Sequence, residues 1–136
     1  MGYQDMLLVV GDWNAKVGEQ QVAEEGTVGK FGMAGESSDS GERFVSFCPL
    51  NNLAIVSSMF PHKEIHRYTW SSPNCQHHNQ IDHVAVRANF KRSVQDAGAY
   101  RGAYCASDHN LVIAKTLLML NRTGQESGTR QKIRDQ

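Results

Sequence analysis

Apolar residues in this chain come in short runs that stop at turn-forming residues. The first run, Leu7-Leu8-Val9-Val10, leads straight into Gly11-Asp12-Trp13-Asn14. A short apolar run closed by glycine reads as a buried strand. A strand over Leu7–Val10 is therefore expected, with the backbone turning at Gly11 and lifting Asp12 and Asn14 into a loop. Val17 to Ser40 is rich in Gly, Glu and Ser without a period, and reads as a long surface loop. A helix should follow, with Asp39 as its cap and Glu42 reaching back. Phe44, Phe47 and Cys48 give it one apolar face. Pro49 should end or kink it near Cys48. Asn51-Asn52 turns the chain into a second strand, Leu53–Ser57. Further strands are expected over Tyr68–Ser71, Gln80–Arg87, around Val94-Gln95 and over Leu111–Leu120. In the last of these both alternating sets are largely apolar, as in a strand covered on both faces. Met59 to Arg67 is irregular, and its His62 and His66 read as solvated. From Asn121 the chain is polar and aperiodic, a tail or linker over 121–136.

Composition narrows the class. The 136 residues fit one domain, here 1–120, with 40% apolar and 21% charged content typical of a globular protein. Lys+Arg and Asp+Glu balance at 14 each, which argues against a strong nonspecific nucleic-acid binder but leaves a nuclease, which needs only local charge. Three cysteines are too few and odd in number for a disulfide framework, so a reducing, intracellular setting is expected, nuclear or cytoplasmic. No apolar run has membrane-spanning length, and Met1 onward shows no signal-peptide pattern, so no membrane partner is expected. Several motifs fail on inspection. Gly29-Lys30 lacks the earlier glycine of a phosphate loop, because Glu24 stands there. Cys75-Gln76-His77-His78 with Cys105 fits no standard zinc spacing and reads as a polar loop. No Gly-x-Ser-x-Gly supports a serine hydrolase.

Candidate chemistry gathers where strands end. Asp12, Asn14, Asp82, Asp108 and His109 all fall at or beside such ends. Carboxylates and an amide suit Mg²⁺, a hard cation that prefers oxygen ligands. A histidine with a carboxylate partner keeps its charge or its tautomer, as a phosphate-facing imidazole requires. Phosphodiester hydrolysis needs an activated water, a group on the phosphoryl oxygens and help for the leaving oxygen; this set supplies the first two.

Gly11-Asp12-Trp13-Asn14, Gln80-Ile81-Asp82-His83 and Ser107-Asp108-His109, in this order, resemble motifs of the endonuclease/exonuclease/phosphatase family. That family includes apurinic/apyrimidinic endonucleases and the endonucleases of LINE-type retrotransposons. Longer stretches, Asp12 to Gly18, Thr27 to Gly32, Gly41 to Phe44, Tyr68 to Pro73 and Asn79 to Asp82, are similar to a retrotransposon-endonuclease-like branch. The resemblance runs from about Leu7 to Leu120 and covers the C-terminal half of the family's domain. It implies that Asp12 activates or orients the attacking water and that Asn14 holds a phosphate oxygen. Asp108 would bind metal with Asp12 and Asn14, His109 would contact the phosphoryl oxygens, and Asp82 would orient His109. Trp70 stands where the family places an aromatic near the substrate. The implied cofactor is Mg²⁺ or Mn²⁺, and the implied substrate is DNA.

The implied fold is α+β: one mainly antiparallel sheet with a helix on one face, half of a four-layer α/β/β/α sandwich. The family's first half supplies a metal-binding Glu, an early Asn, and a Tyr and His near the phosphate. This chain is expected to lack them, and so to bind metal weakly and to be incomplete as an enzyme; the alternative is a non-catalytic interaction domain. Trp13 stands for the usual Phe and His83 for the usual Tyr, and Pro49 falls where relatives carry a helix former. A homodimer is also expected. The helix can cover one sheet face, and the apolar residues on the other would need a second copy.

Overall fold

A computed structural model describes residues 5–74, 76–100 and 108–117. Leu8–Asp12 forms β1, Asp39–Leu50 forms α1 and Leu53–Ile55 forms β2. Trp70–Ser71 is β3, His78–Asn79 β4 and Asp82–Arg87 β5. Val94–Tyr100 is β6 and Leu111–Thr116 is β7. Short 3-10 turns lie at Val22–Glu24, Val56–Ser58, Glu64–His66 and Ala88–Ser93. Every pairing between these strands is antiparallel, so the α+β class holds. The strands divide into a three-stranded sheet, ordered β1-β5-β2, and the pairs β3-β4 and β6-β7.

The central strand β5 is buried on both sides because its two faces meet different partners. Ala85 faces the α1 side, where Leu53, Ile55, Phe44, Val45 and Cys48 form one core with Ala15, Val17 and Val28. Val84 and Val86 face the β6-β7 pair and form a second core with Val94, Ala97 and Ala114. The second face of β5, expected to lie bare, is thus covered within one chain, and the expected homodimer loses the reason given for it. On the edge strand β1, Val10 shares the face of its cross-strand partner Val84 and stays 45% exposed. Burial pushes the Cys48 thiol up to about 11, consistent with an inert core cysteine.

Several local expectations change. β1 continues through Gly11 to Asp12, and the turn comes later, at Asn14, whose φ of 49° is left-handed. Asparagine tolerates that conformation better than most residues. Ser38, not Asp39, caps α1: its Oγ accepts from Gly41 N at 3.0 Å and also from Lys16 N at 3.1 Å. The cap therefore ties the helix to the segment that follows Asn14. A side chain at Gly41 would collide with the Lys16 carbonyl, so this close approach requires glycine. The helix runs through Pro49 to Leu50, because a proline in the last turn leaves Asn51 N free to bond the Phe47 and Cys48 carbonyls. Asp39 and Glu42 sit in its first turn, where negative charge complements the helix dipole.

The segment expected to be a surface loop contributes Val17 and Val28 to the core, and Val28 bridges Ile55. β2 stops at Ile55 and gives way to a buried 3-10 turn. β6 extends to Tyr100, well past Gln95. β7 is not covered on both faces: Ala114 is buried, whereas Leu111 and Leu117 are about half exposed. Only one of its alternating sets, Val112 and Ala114, meets the core. His62 and His66 are not solvated. His62 Nε2 lies 2.7 Å from Asp96 Oδ1, and His66 Nδ1 lies 3.2 Å from the Ala99 carbonyl. Leu118 to Leu120, the polar stretch 121–136, Cys75 and Cys105 lie outside the described residues. Among the described residues, no helix is long and apolar enough to cross a membrane.

Candidate functional site

The register of β1 on β5 places Asp12 directly opposite Asp82 at one end of the three-stranded sheet. Cross-strand partners share a face. Both carboxylates therefore lie on the face turned toward β6-β7, at the mouth rather than in the core. The third element is the segment just before β7. Trp70 bridges His109, Ser71 N donates to the Asp108 carbonyl at 3.1 Å, and Asn110 N donates to the Thr69 carbonyl at 2.7 Å. Thr69 is buried, and its Oγ1 accepts from Ile81 N at 3.0 Å and Asp82 N at 3.1 Å. One threonine thus holds the start of β5, which carries Asp82, against the segment that carries His109.

His109 Nδ1 lies 2.7 Å from Asp82 Oδ2. A carboxylate accepts, so Nδ1 carries the proton of this bond. The other nitrogen, Nε2, is 3.8 Å from Asp12 Oδ2 and 3.9 Å from Asp108 Oδ1. Those separations exceed hydrogen-bond length but keep both carboxylates in ion-pair range of the ring. Each outer carboxylate keeps its remaining oxygen on a fixed donor. Asp12 Oδ1 accepts from Asn14 N at 2.8 Å, and Asp108 Oδ2 accepts from Trp70 Nε1 at 2.9 Å. A cleft of about 530 Å³ opens here, lined by Asp12, Trp13, Asn14, Trp70, Asn79, Ile81 and His109.

Of the residues singled out from the sequence, Asp12, Asn14, Trp70 and His109 thus line one cleft, Asp82 holds His109, and Asp108 lies at its edge on Trp70. Thr69, Asn79 and His83 were not legible as site residues. Thr69 and Asn79 act through pairings between distant segments, and a lone Thr or Asn carries no local signal of that.

Oxygen donors for a hard cation are available from Asp12, Asp108 and the Asn14 amide. Ligating atoms of Asp12, Asp82 and His109 also come within 4.8 Å of one another. Asp82, however, is engaged by His109 Nδ1, which makes it the weaker candidate as a ligand.

The hydrogen bond to Asp82 raises the His109 pKa above its ordinary value, with Coulombic support from Asp82, Asp12 and Asp108, against a smaller opposing effect of burial. In an NMR titration His109 should therefore hold its proton above the ordinary value of about 6.5. Asp82→Asn should bring the midpoint down. An unchanged midpoint in that variant would mean that the Asp82 contact does not govern the imidazole.

Comparison with known proteins adds a relationship. The chain is similar to craniofacial development protein 2. The cattle (Bos taurus) protein is 42% identical over 116 residues, which cover 85% of this chain and 19% of that protein. Craniofacial development protein 2 of Tragulus javanicus is also 42% identical over 116 residues, or 20% of its length. This chain spans about a fifth of the length of these curated relatives. No protein-family model matches the chain. No solved structure matches it.

Proposed function

We propose that this chain carries part of the active site of a metal-dependent phosphodiesterase that acts on DNA. One observation carries the proposal: His109 is held by Asp82 at 2.7 Å, with its Nε2 3.8 Å from Asp12 Oδ2 and 3.9 Å from Asp108 Oδ1, so that three carboxylates converge on one imidazole beside the cleft. The resemblance of Asp12–Asn14, Gln80–His83 and Ser107–His109 to endonuclease/exonuclease/phosphatase motifs supports the same assignment.

Each residue then has a chemical task. His109, whose charged form Asp82 favours, donates from Nε2 to a phosphoryl oxygen when protonated and offsets its growing charge. Asp12 accepts a proton from the attacking water through Oδ2, while its Oδ1 stays fixed by Asn14 N. The Asn14 amide holds a second phosphate oxygen. Trp70, anchored through its indole N–H to Asp108, presents its ring to a sugar or base. Mg²⁺ or Mn²⁺, held by Asp12, Asn14 and Asp108, would supply further charge stabilisation at the phosphoryl group.

Two carboxylates and an amide leave such a site open. By the resemblance, the remaining ligand is a Glu from another part of a longer protein. The chain alone is therefore expected to cleave duplex or abasic-site DNA in Mg²⁺ weakly or not at all in an oligonucleotide gel assay. Robust turnover abolished by Asp12→Ala or His109→Ala would show that this segment suffices. A short phosphodiester such as a dinucleotide should still shift the NMR signals of His109, Asn14 and the Trp70 indole, and leave those of His62 and His66 in place. Shifts scattered over the surface would remove the proposed site. A second reading, a non-catalytic interaction domain, draws on one observation. Asp12, Asp82 and Asp108 each already have a protein partner. Silence of the cleft toward both dinucleotide and metal would favour it.

A further inference from the structure

Two adjacent residues of β5 act on opposite faces of the sheet. Asp82 faces the cleft and holds His109. His83 lies on the α1 side, fully buried, with the Phe44 ring 5.4 Å from its own. A buried polar ring persists only where its nitrogens are satisfied, and here both are. Nε2 donates to the Ala15 carbonyl at 2.8 Å. A carbonyl only accepts, so the ring proton is on Nε2 and Nδ1 is an acceptor. Nδ1 faces Ser57 Oγ at 3.1 Å, and that hydroxyl accepts in turn from Val84 N at 3.3 Å.

Ala15 closes the turn that begins at Asp12. Within that turn Asn14 is left-handed, a conformation that asparagine tolerates at a small cost and that its neighbours' hydrogen bonds can hold. β5 and the residue just before it grip the turn on both sides of Asn14. The Ile81 carbonyl accepts from Trp13 N at 2.9 Å, and the His83 imidazole donates to Ala15.

We propose that His83 is a positioning residue: through the Ala15 carbonyl, its imidazole fixes the left-handed turn that aims Asp12 and Asn14 into the cleft. This rests on the reading of Asp12 and Asn14 as cation-facing residues. It makes the strand end at Asp82-His83 a common anchor for both sides of the site, His109 in front and the Asp12 turn behind.

The test compares His83→Phe, which keeps a planar ring without a donor, with His83→Gln, which restores a donor, and with Ser57→Ala. Ser57→Ala removes the Nδ1 partner and leaves the bond to Ala15. Two quantities are read in each protein: the Asn14 carbon shifts, which report its left-handed backbone, and the affinity for Mn²⁺ from paramagnetic broadening. His83→Phe should lose the left-handed signature and bind Mn²⁺ about 10- to 100-fold more weakly, the range for loss of a group that orients a metal ligand. His83→Gln should recover part of both, and Ser57→Ala should melt at lower temperature with both near the parent values. The proposal is overturned if folded His83→Phe keeps the parent's Asn14 shifts and Mn²⁺ affinity, or if Ser57→Ala loses them equally. If His83→Phe does not fold, His83→Leu, which also lacks a donor to the Ala15 carbonyl, is read beside His83→Gln: Asn14 shifts lost in His83→Leu and recovered in part in His83→Gln support the proposal, and parent shifts in both overturn it. If the parent itself binds no Mn²⁺, the metal reading fails, and the Asn14 shifts still decide the role of His83.

Discussion

Val86→Asp should unfold the chain. Val86 is fully buried and lies between Leu8 and Ala54 in register, on the face that packs against β6-β7. The substitution forfeits about 1.5–3 kcal/mol of apolar burial. It also places a carboxylate where the effective desolvation penalty is several kcal/mol per ion. A domain of this size has only about 5–15 kcal/mol to lose. Val22 is 88% exposed, so Val22→Asp should stay within about 0.5 kcal/mol of the parent. Urea denaturation followed by circular dichroism measures both. A Val86→Asp protein with the parent's midpoint would mean that β6-β7 does not close this face of the sheet.

Stability should also fall as the solution is acidified from pH 7 toward pH 5, and His83 should be the main cause. Burial lowers its pKa below the ordinary value, opposed by its bond to the Ala15 carbonyl and by the charges of Asp82 and Asp12. The unfolded chain takes up the proton near pH 6.5, while the folded chain resists it until the lower folded pKa is reached. Protons thus favour the unfolded state in that window, and each unit by which the pKa is lowered costs about 1.4 kcal/mol once the pH is below both values. His109 works in the opposite direction. Its pKa is raised, so its contribution is fully present below about pH 6.5 and is lost as pH rises through the folded value. Its side chain is 30% exposed, so solvent screening weakens that contribution, whereas His83 is fully buried. His83→Phe should flatten the loss between pH 7 and pH 5, whereas Asp82→Asn should keep it and steepen it, because Asp82 raises the pKa of His109 and opposes the lowering at His83. An equally steep loss in His83→Phe would assign it to other groups.

The sequence made the strands legible for one reason: apolar runs bounded by Asp, Asn or His mark strand ends locally. Asp12, Asp82 and His109 could be placed beside each other only through the resemblance of their motifs, and the antiparallel register then set the first two opposite one another. What stayed hidden depends on contacts between distant segments. Val17 and Val28 sit among glycines and glutamates, so no period announces that they enter the core. Ser38 displaces Asp39 as the cap because it also holds Lys16, a contact no capping pattern encodes. His62 and His66 look solvated in an irregular stretch, yet β6, which partners both, begins about thirty residues later. Strands apolar on both faces point, in the sequence, to a homodimer. The same pattern is satisfied inside one chain, by α1 on one side and the β6-β7 pair on the other.

The central claim is that Asp12, Asn14, Asp108 and His109 form one cation- and phosphate-facing site. The most direct measurement is an NMR titration of the isotope-labelled chain with Mn²⁺, followed by displacement with excess Mg²⁺. The account predicts that broadening begins at Asn14, His109 and the Trp70 indole. It should reach His62 and His66 only at higher Mn²⁺, reverse with Mg²⁺ and vanish in Asp12→Ala. Broadening that starts elsewhere, or that survives Asp12→Ala unchanged, would contradict it.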